Sequence, residues 1–144
     1  MKHTLWLILP AILASCNPQP AFPADETIPI QTVFLEASGE PMEGKIAVAE
    51  VIRNRAKRSG ESFDEVCLKP NQFSCWNSRV YSDLRLFQMT GADWQAASRA
   101  WVESEFSNIT NGSTHFHTIS ISPSWSRKMK RTVRISNHQF YKEK

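Results

Sequence analysis

The stretch that decides the fold covers residues 34–55 and reads FLEASGEPMEGKIAVAEVIRNR. Its second half carries the signals of a helix, because Pro41 suits the first helical position and Glu43 suits the positive end of the helix dipole. The apolar residues that follow recur at helical spacing: Ile46, Ala49, Ile52 and Ala56. We therefore predict a helix over residues 41–57, ended by Gly60.

Glu36 comes just before this helix and directly after an apolar run, in a segment (residues 30–37) that predicts a short helix or strand. Such a carboxyl is either a solvated charge at a helix end or an acid kept protonated because apolar neighbours disfavour its charged form. Its position alone favours the solvated charge. The rest of the sequence has to decide between the two.

The remaining segments predict a helix-dominated α+β domain with a small β element. Residues 62–82 predict a loop-rich segment. Residues 93–105 predict a second helix whose tryptophans belong to the core. The alternating sequence THFHTISIS, residues 114–122, predicts a strand with His115, His117, Ile119 and Ile121 on one side. Residues 131–141 are a second strand candidate, broken near Ser136-Asn137.

Length and charge limit the possible functions. A chain of 144 residues suggests one domain with a real core, and a net charge of +3 is too small to argue for nucleic acid. The charge is unevenly spread: residues 25–67 hold five basic and nine acidic residues (5 − 9 = −4), and residues 123–144 hold seven basic and one acidic (7 − 1 = +6). This asymmetry either steers an anionic polymer or reflects a solvated face.

The amino terminus has the layout of an export signal. Residues 1–16 join a basic start to a short apolar stretch, and Leu13-Ala14-Ser15-Cys16 resembles a bacterial lipobox, which predicts lipid attachment at Cys16. Residues 17–29 contain four prolines and predict an extended tether, leaving residues 30–144 as the catalytic domain. We expect an exported, membrane-anchored envelope protein, with the outer membrane preferred because Asn17 replaces the Asp that retains lipoproteins at the inner membrane.

Cysteine usage fits export. With Cys16 lipidated, Cys67 and Cys75 remain as an even pair in an oxidising compartment, which favours a disulfide. The alternative of two reduced thiols supplies too few ligands for a structural zinc site.

Four sequence blocks in order resemble the SleB-type cell wall hydrolase family, named for spore cortex-lytic enzymes. The blocks are LEASGEPMEGKIAVAEVIRNR, VC…QFSCW, NGSTHFH with the following SPSW, and RTVRISNHQFY. The resemblance implies a lysozyme-like, lytic transglycosylase-related fold and cleavage of peptidoglycan glycan strands. The family's E-A-x-G-E turn falls on residues 36–40, so the resemblance makes Glu36 the catalytic acid; Ser38 stands where the family commonly has Arg.

Breaking a β-1,4 glycosidic bond requires a proton on the leaving oxygen, which a protonated Glu36 would supply. Glu40 is the possible secondary carboxylate, but we favour a structural role for it at the start of the following helix. Because a transglycosylase uses the sugar's own 6-hydroxyl as nucleophile, one acid that later acts as base suffices. We therefore prefer a lytic transglycosylase over a hydrolase, acting as a monomer without cofactor or metal.

The substrate-binding candidates are amides, histidines and aromatic rings, since sugars present CH faces to rings and hydroxyls to amides. The candidates in the middle of the chain are Gln72, Phe73 and Trp76, the two rings being equally well explained as core. The later ones are His115, Phe116, His117, Trp125, Asn137, Phe140 and Tyr141. For the last group the sequence does not separate groove residues from fold residues.

Two other functions remain open at this stage. His115, His117 and His138 could hold zinc, with Glu36 as general base, in a cell wall amidase or peptidase. A third reading is a non-catalytic peptidoglycan-binding lipoprotein, supported by the tether, the basic tail and the aromatics.

Overall fold

The computed structural model describes residues 26–144. The signal segment, Cys16 and the first part of the tether lie outside the described residues. The helices in this part of the chain are α1 Thr27–Ala37, α2 Met42–Ser59, α3 Phe63–Leu68, α4 Arg79–Phe87 and α5 Gly91–Glu103. Short 3-10 helices span Ser74–Trp76, Ser104–Phe106 and Ser124–Lys128, and the strands are β1 His115–Thr118, β2 Lys130–Ile135 and β3 His138–Lys142.

Helix α1 is the centre of the helical body. It packs against α2, α3, α4 and α5, and seven of its eleven residues are buried. A helix that is apolar on most sides is stable only when other elements cover it. Its last turn carries Glu36, whose side chain is half-buried at the edge of this packed body. The helix begins at Thr27, so three residues assigned to the tether belong to the folded domain.

Helix α2 follows the sequence prediction closely. It runs from Met42 to Ser59, directly after Pro41, and Gly60 ends it with a left-handed φ of 74°. The Gly60 amide donates to the Ala56 carbonyl at 2.9 Å, a helix-ending bond that glycine forms without steric strain. Helix α2 packs against α5. Val48 and Ile52 of α2 and Trp101 of α5 are fully buried.

The prediction of a loop-rich segment over residues 62–82 is wrong in part, since this region holds α3 and the first turn of α4. Helix α3 begins with a capping box: Ser62 N donates to Glu65 Oε2 at 2.8 Å, and Glu65 N donates to Ser62 Oγ at 3.3 Å. This local motif is visible in the sequence as Ser-x-x-Glu. Helix α4 is capped by the Ser78 side chain, which accepts from Tyr81 N.

The predicted disulfide is wrong. Cys67 and Cys75 are free thiols, both buried in the core cluster. Burial raises the pKa of the Cys67 thiol to about 12, and burial followed by the neighbouring Glu36 carboxylate raises the pKa of the Cys75 thiol. Both side chains therefore pack as small neutral apolar groups, which leaves no reactive thiolate near neutral pH.

The small sheet is antiparallel with strand order β1-β3-β2. The segment 131–141 is a hairpin, because the chain reverses at Ser136, whose φ is 49°, and Asn137. Strand β1 ends at Thr118, so Ile119 and Ile121 do not continue the face of His115 and His117 as predicted; both isoleucines are exposed. Between residues 26 and 144, no helix combines the length and the hydropathy that crossing a membrane requires.

Candidate active site

Glu36 lies half-buried at the end of α1 and lines a cleft with a volume of about 630 Å³. Its Oε1 atom accepts a hydrogen bond from the Cys75 backbone amide at 3.0 Å and a longer one from Ser74 Oγ at 3.5 Å. These contacts join the last turn of α1 to the 3-10 helix at residues 74–76. Among the described residues that line the cleft, Glu36 is the one acidic side chain.

The cleft lies between the helical body and the small sheet. One wall is the segment around the 3-10 helix, with Asn71, Gln72, Phe73, Ser74 and Asn77. The opposite wall is β1 and the chain that follows it, with His115, Phe116, His117, Thr118, Ile121, Pro123 and Trp125. Arg55 and His138 complete the lining. Glu36 therefore faces a concave surface built from polar and aromatic side chains, the usual lining of a ligand site.

Arg55 holds the two walls together. Its Nη1 donates to the Gln72 carbonyl at 2.9 Å and its Nε donates to the Thr114 carbonyl at 2.6 Å. The guanidinium lies 4.5 Å from the centre of the Phe73 ring, a cation–π contact. Burial lowers the pKa of Arg55 to about 10, opposed by the nearby Cys67 and Glu36. Arg55 remains a cation at neutral pH, so the Glu36 end of the cleft contains a fixed positive charge.

Arg55 was not among the predicted site residues. The signal for it was present, because Val48, Ile52 and Arg55 follow one another at i, i+4 and i+7 on the face of α2 that enters the core. A charged residue on a buried helix face is unusual and needs partners.

Aromatic rings on the sheet side form a rigid cluster beside the cleft. Trp125 lies 5.4 Å from His115, 5.7 Å from His117 and 5.5 Å from Tyr141, measured between ring centroids. His117 is fixed by two hydrogen bonds of 2.8 Å: its Nδ1 donates to the Thr118 carbonyl, and its Nε2 accepts from the Tyr141 hydroxyl. Because these rings are mutually supported, they present an apolar face that a sugar ring can stack on.

The structure brings six of the predicted substrate-binding residues to the cleft with Glu36: Gln72, Phe73, His115, Phe116, His117 and Trp125. The other four serve the fold. Trp76 donates from Nε1 to Thr32 Oγ1 at 2.9 Å, which turns it toward α1. Phe140 is fully buried, and Tyr141 is buried behind His117. Asn137 binds Glu40.

Glu40 has different surroundings from Glu36. It accepts from the Asn137 side chain at 3.1 Å and from the Asn137 backbone at 3.3 Å, which ties the α1–α2 turn to the hairpin. Partial burial raises the pKa of Glu40, but hydrogen bonds from Ser136 and Asn137 lower it by more. The pKa of Glu40 therefore lies below its ordinary value. Helix α2 has no side-chain cap, so the expected capping role is replaced by this bond to the hairpin.

Gly44 makes room for Glu40. A Cβ atom at Gly44 would meet the Glu40 Cβ at 2.8 Å and its Oε2 at 3.2 Å. Contacts this short force a neighbour to move, so glycine here allows the Glu40 side chain to cross the first turn of α2 toward Asn137.

The three histidines of the zinc hypothesis do not form a metal site. Alternation along β1 and pairing of Thr118 with His138 put His138 on the opposite face of the sheet from His115 and His117. His138 instead lies against Phe116, at 5.0 Å between ring centroids, and burial lowers its pKa. Within residues 26–144, no group of three or more His, Cys, Asp or Glu side chains is arranged to hold a metal ion.

The helical body, the small antiparallel sheet and the one carboxyl in the described lining of an aromatic-rich cleft fit the class of enzymes that act on the cell wall. The chain belongs to the Cell Wall Hydrolase family, whose sequence model matches residues 39–141. That match begins three residues after Glu36, so it covers the cleft walls and not the carboxyl itself.

Two solved structures have a similar fold. The catalytic domain of the germination-specific lytic transglycosylase SleB from Bacillus anthracis is 21% identical with a TM-score of 0.68, and the match covers 87% of this chain and 99% of that domain. The catalytic domain of the Bacillus cereus SleB protein is 20% identical with a TM-score of 0.66, covering 86% of this chain and 94% of that one. No curated protein sequence matches the chain significantly.

Proposed function

We propose that this protein cleaves the β-1,4 bond between N-acetylmuramic acid and N-acetylglucosamine in peptidoglycan, as a lytic transglycosylase with Glu36 as its acid and base. The observation that carries the proposal is that Glu36 is the one acidic residue among the described residues lining the cleft. Membership of the Cell Wall Hydrolase family gives the substrate class, and the similar Bacillus anthracis domain is named as a lytic transglycosylase.

The hydrogen bonds to Glu36 assign roles to its two oxygens. Both the Cys75 amide and the Ser74 hydroxyl reach Oε1, which supports Oε2 as the oxygen that carries the proton to the glycosidic oxygen. A glycan strand that fills the cleft removes water from around the carboxyl and the glycosidic oxygen. The amide of Cys75 then stabilises the carboxylate that remains after proton transfer.

The reaction needs no second carboxylate. Glu36 protonates the leaving oxygen, the bond to C1 breaks, and an oxocarbenium-like centre develops at C1 of the muramic acid. The 6-hydroxyl of the same sugar attacks C1, and its proton returns to Glu36. The products are a 1,6-anhydro end and a free 4-hydroxyl, and the enzyme regains its starting protonation state.

The absence of a paired carboxylate among the described lining residues separates this mechanism from ordinary glycosidases. Retaining enzymes hold two carboxyl groups about 5–5.5 Å apart, and inverting ones about 6.5–9.5 Å apart. Glu40, the nearest candidate in the sequence, is bonded to Asn137 and is not among the residues that line the cleft. Its lowered pKa fits a permanently ionised structural group.

Product analysis tests the proposal. Purified sacculi are incubated with the protein, and the released fragments are analysed by mass spectrometry. Anhydro-muramyl ends are the expected result. Reducing ends would make the protein a hydrolase, free peptide stems would make it an amidase, and firm binding to sacculi without any soluble fragment would make it a wall-binding protein.

Family membership places the enzyme in the cell envelope. We extend this to lipid anchoring at Cys16, with residues 17–25 tethering the domain to a membrane, preferentially the outer one, and with the protein acting as a monomer. Mass spectrometry of the membrane fraction should show diacyl modification at Cys16. Cys16→Ala should release the protein into the soluble fraction, whereas a membrane-bound Cys16→Ala protein would contradict the anchor.

A further inference from the structure

One face of the small sheet continues the cleft wall toward a second groove. Strand pairing forms two rows of neighbours across the sheet: His115, Tyr141 and Arg131 in one row, and His117, Gln139 and Arg134 in the other. Neighbours in a row point to the same side of a sheet. The cleft histidines and the two arginines therefore share a face, at opposite edges of the sheet.

A β-bulge is what gives the two arginines a common face. They are three residues apart, and in a regular strand residues three apart point to opposite sides. The register between β2 and β3 shifts between Arg131 and Arg134, which inserts one extra residue. Bulges commonly redirect a side chain next to a functional site.

The arginine edge lines a groove with a volume of about 470 Å³. Arg127 joins Arg131 and Arg134 in its lining, and His117 and Ile121 belong to both this groove and the Glu36 cleft. The two concave surfaces are therefore continuous, with the β1 edge between them.

The positive charge of this groove is uncompensated within the described part of the chain. All three arginines are exposed, and none takes part in the ion pairs found among residues 26–144. The one acidic residue in the segment 123–144, Glu143, pairs with Arg58 on α2. Exposed guanidinium groups without a carboxylate are suited to bidentate binding of an external carboxylate.

We propose that this arginine groove binds the carboxylates of the peptide stem on muramic acid, so that the enzyme selects stem-bearing glycan over bare glycan. This inference rests on the proposed function, because it takes the glycan strand to lie in the Glu36 cleft. A stem leaves the muramic acid through its lactyl group, and free carboxylates are its main charges.

The dimensions agree with this assignment. Strands in a sheet are about 4.8 Å apart, so the arginine edge lies roughly 10 Å across the sheet from the histidines. An extended peptide advances about 3.5 Å per residue, so the second to fourth stem residues reach this distance. The exposed Ile119 and Ile121 also line the groove and offer apolar contact to alanine side chains of the stem.

An anionic membrane surface is the rival occupant of a basic groove. The continuity of the groove with the cleft favours the stem, because a ligand held at both places must carry a sugar and an anionic branch. A flat lipid surface would meet exposed lysines and arginines over a wider area and would not need a groove aligned with the cleft.

The test compares glycan strands that carry stems with the same strands stripped by an amidase. The variant is Arg131→Gln/Arg134→Gln, and the matched control is Arg79→Gln/Arg99→Gln, which removes the same charge from exposed sites on α4 and α5. Binding is measured by calorimetry with every protein also carrying Glu36→Gln, and kcat/KM is measured without it. Thermal unfolding checks that each variant folds.

We expect the Arg131/Arg134 variant to lose about tenfold or more in affinity and kcat/KM on stem-bearing strands, the range for charged hydrogen bonds. On stripped strands it should match the wild type, and the control should match on both. Equal losses on both substrates, or none, would overturn the inference, as would a loss confined to binding of phosphatidylglycerol vesicles. If the wild type binds strands but cleaves neither kind, the proposed function fails while the binding arm still decides the groove.

Discussion

Glu36 lies in the last turn of α1 and Glu40 lies four residues later in the turn before α2, and their surroundings differ in kind. Glu36 enters a cleft and receives hydrogen bonds at one oxygen, from Cys75 and Ser74. Glu40 lies outside that cleft lining and receives bonds at both oxygens from Asn137 of the hairpin. Sequence proximity therefore says little about function here. The partner that the fold brings to each carboxyl decides whether it reacts or holds the structure together.

The largest expected effect is on activity, when the carboxyl of Glu36 is removed and that of Glu40 is kept. Glu36→Gln removes the proton donor while keeping the side-chain shape, and general acid–base catalysis contributes about 10²- to 10⁴-fold to such rates. We expect cleavage of sacculi to fall by at least the lower figure, with unchanged thermal unfolding. Glu40→Gln is the matched control, and its rate should stay within a few fold of wild type. A Glu36→Gln enzyme with substantial turnover would place the acid elsewhere.

The next largest effect is on the free energy of unfolding, through the packing of Gly44 against Glu40. Gly44→Ala puts a Cβ atom 2.8 Å from the Glu40 Cβ, and overpacking of this kind costs about 1–3 kcal/mol. The better helix propensity of alanine offsets up to about 1 kcal/mol of this. Urea unfolding should show a net loss of stability.

Gly91→Ala, at the start of α5, is the control for this change. An added Cβ there meets no atom within 4 Å, so this variant should be as stable as the wild type or slightly more stable. Equal unfolding midpoints for the two alanine variants would show that Glu40 does not need the space above Gly44.

Acid should weaken the fold in two stages that belong to different groups. Burial lowers the folded-state pKa of His138, so the unfolded chain binds more protons as the pH falls below 6.5, and stability drops from that point. Hydrogen bonds keep the pKa of Glu40 below 4.5, so its contribution is present above that value and is lost below it.

The two stages can be separated by thermal unfolding across pH. Glu40→Gln should reduce the decline below pH 4.5, to which Glu61 and Glu65 also contribute, and leave the decline below pH 6.5 in place. His138→Gln should reduce the decline below pH 6.5, to which His115 also contributes because burial lowers its pKa as well, and leave the lower stage in place. A single acid transition that neither variant changes would assign acid sensitivity to other groups.

The smallest effect is on the thiols next to Glu36. Because Cys67 and Cys75 are free, buried and protonated, alkylation of the native protein without reductant should label neither, and alkylation after unfolding should label both. Peptide mapping identifies the labelled positions. A peptide pair that stays joined without reductant would restore the disulfide that the structure excludes.

Local signals made part of this fold predictable. Pro41 and Gly60 bound α2 within one or two residues of its observed ends, since proline and glycine act through backbone geometry alone. The missed helices α3 and α4 show the opposite case. Pro70 and Asn71, the latter with a φ of 63°, interrupt that region, although the Ser62–Glu65 capping box marks the start of α3.

The part of the site that was predictable consists of residues close together in sequence on one helix or strand. His115 and His117 were assigned to one strand face, and both lie against Trp125. Helical spacing marks the position of Arg55 on the buried face of α2, but its partners, the Gln72 and Thr114 carbonyls, lie on other segments. The bond between Glu40 and Asn137 was missed because it joins segments distant in sequence. Asn137 lies 97 residues from Glu40, and no local pattern links them.

The most direct test of the central claim is the chemical nature of the new glycan ends made by wild type, Glu40→Gln and Glu36→Gln in parallel digests of sacculi. The account predicts anhydro ends in similar amounts from the first two proteins and essentially none from the third. Reducing ends from the wild type, or equal inactivity of both variants, would contradict a reaction run by Glu36 alone.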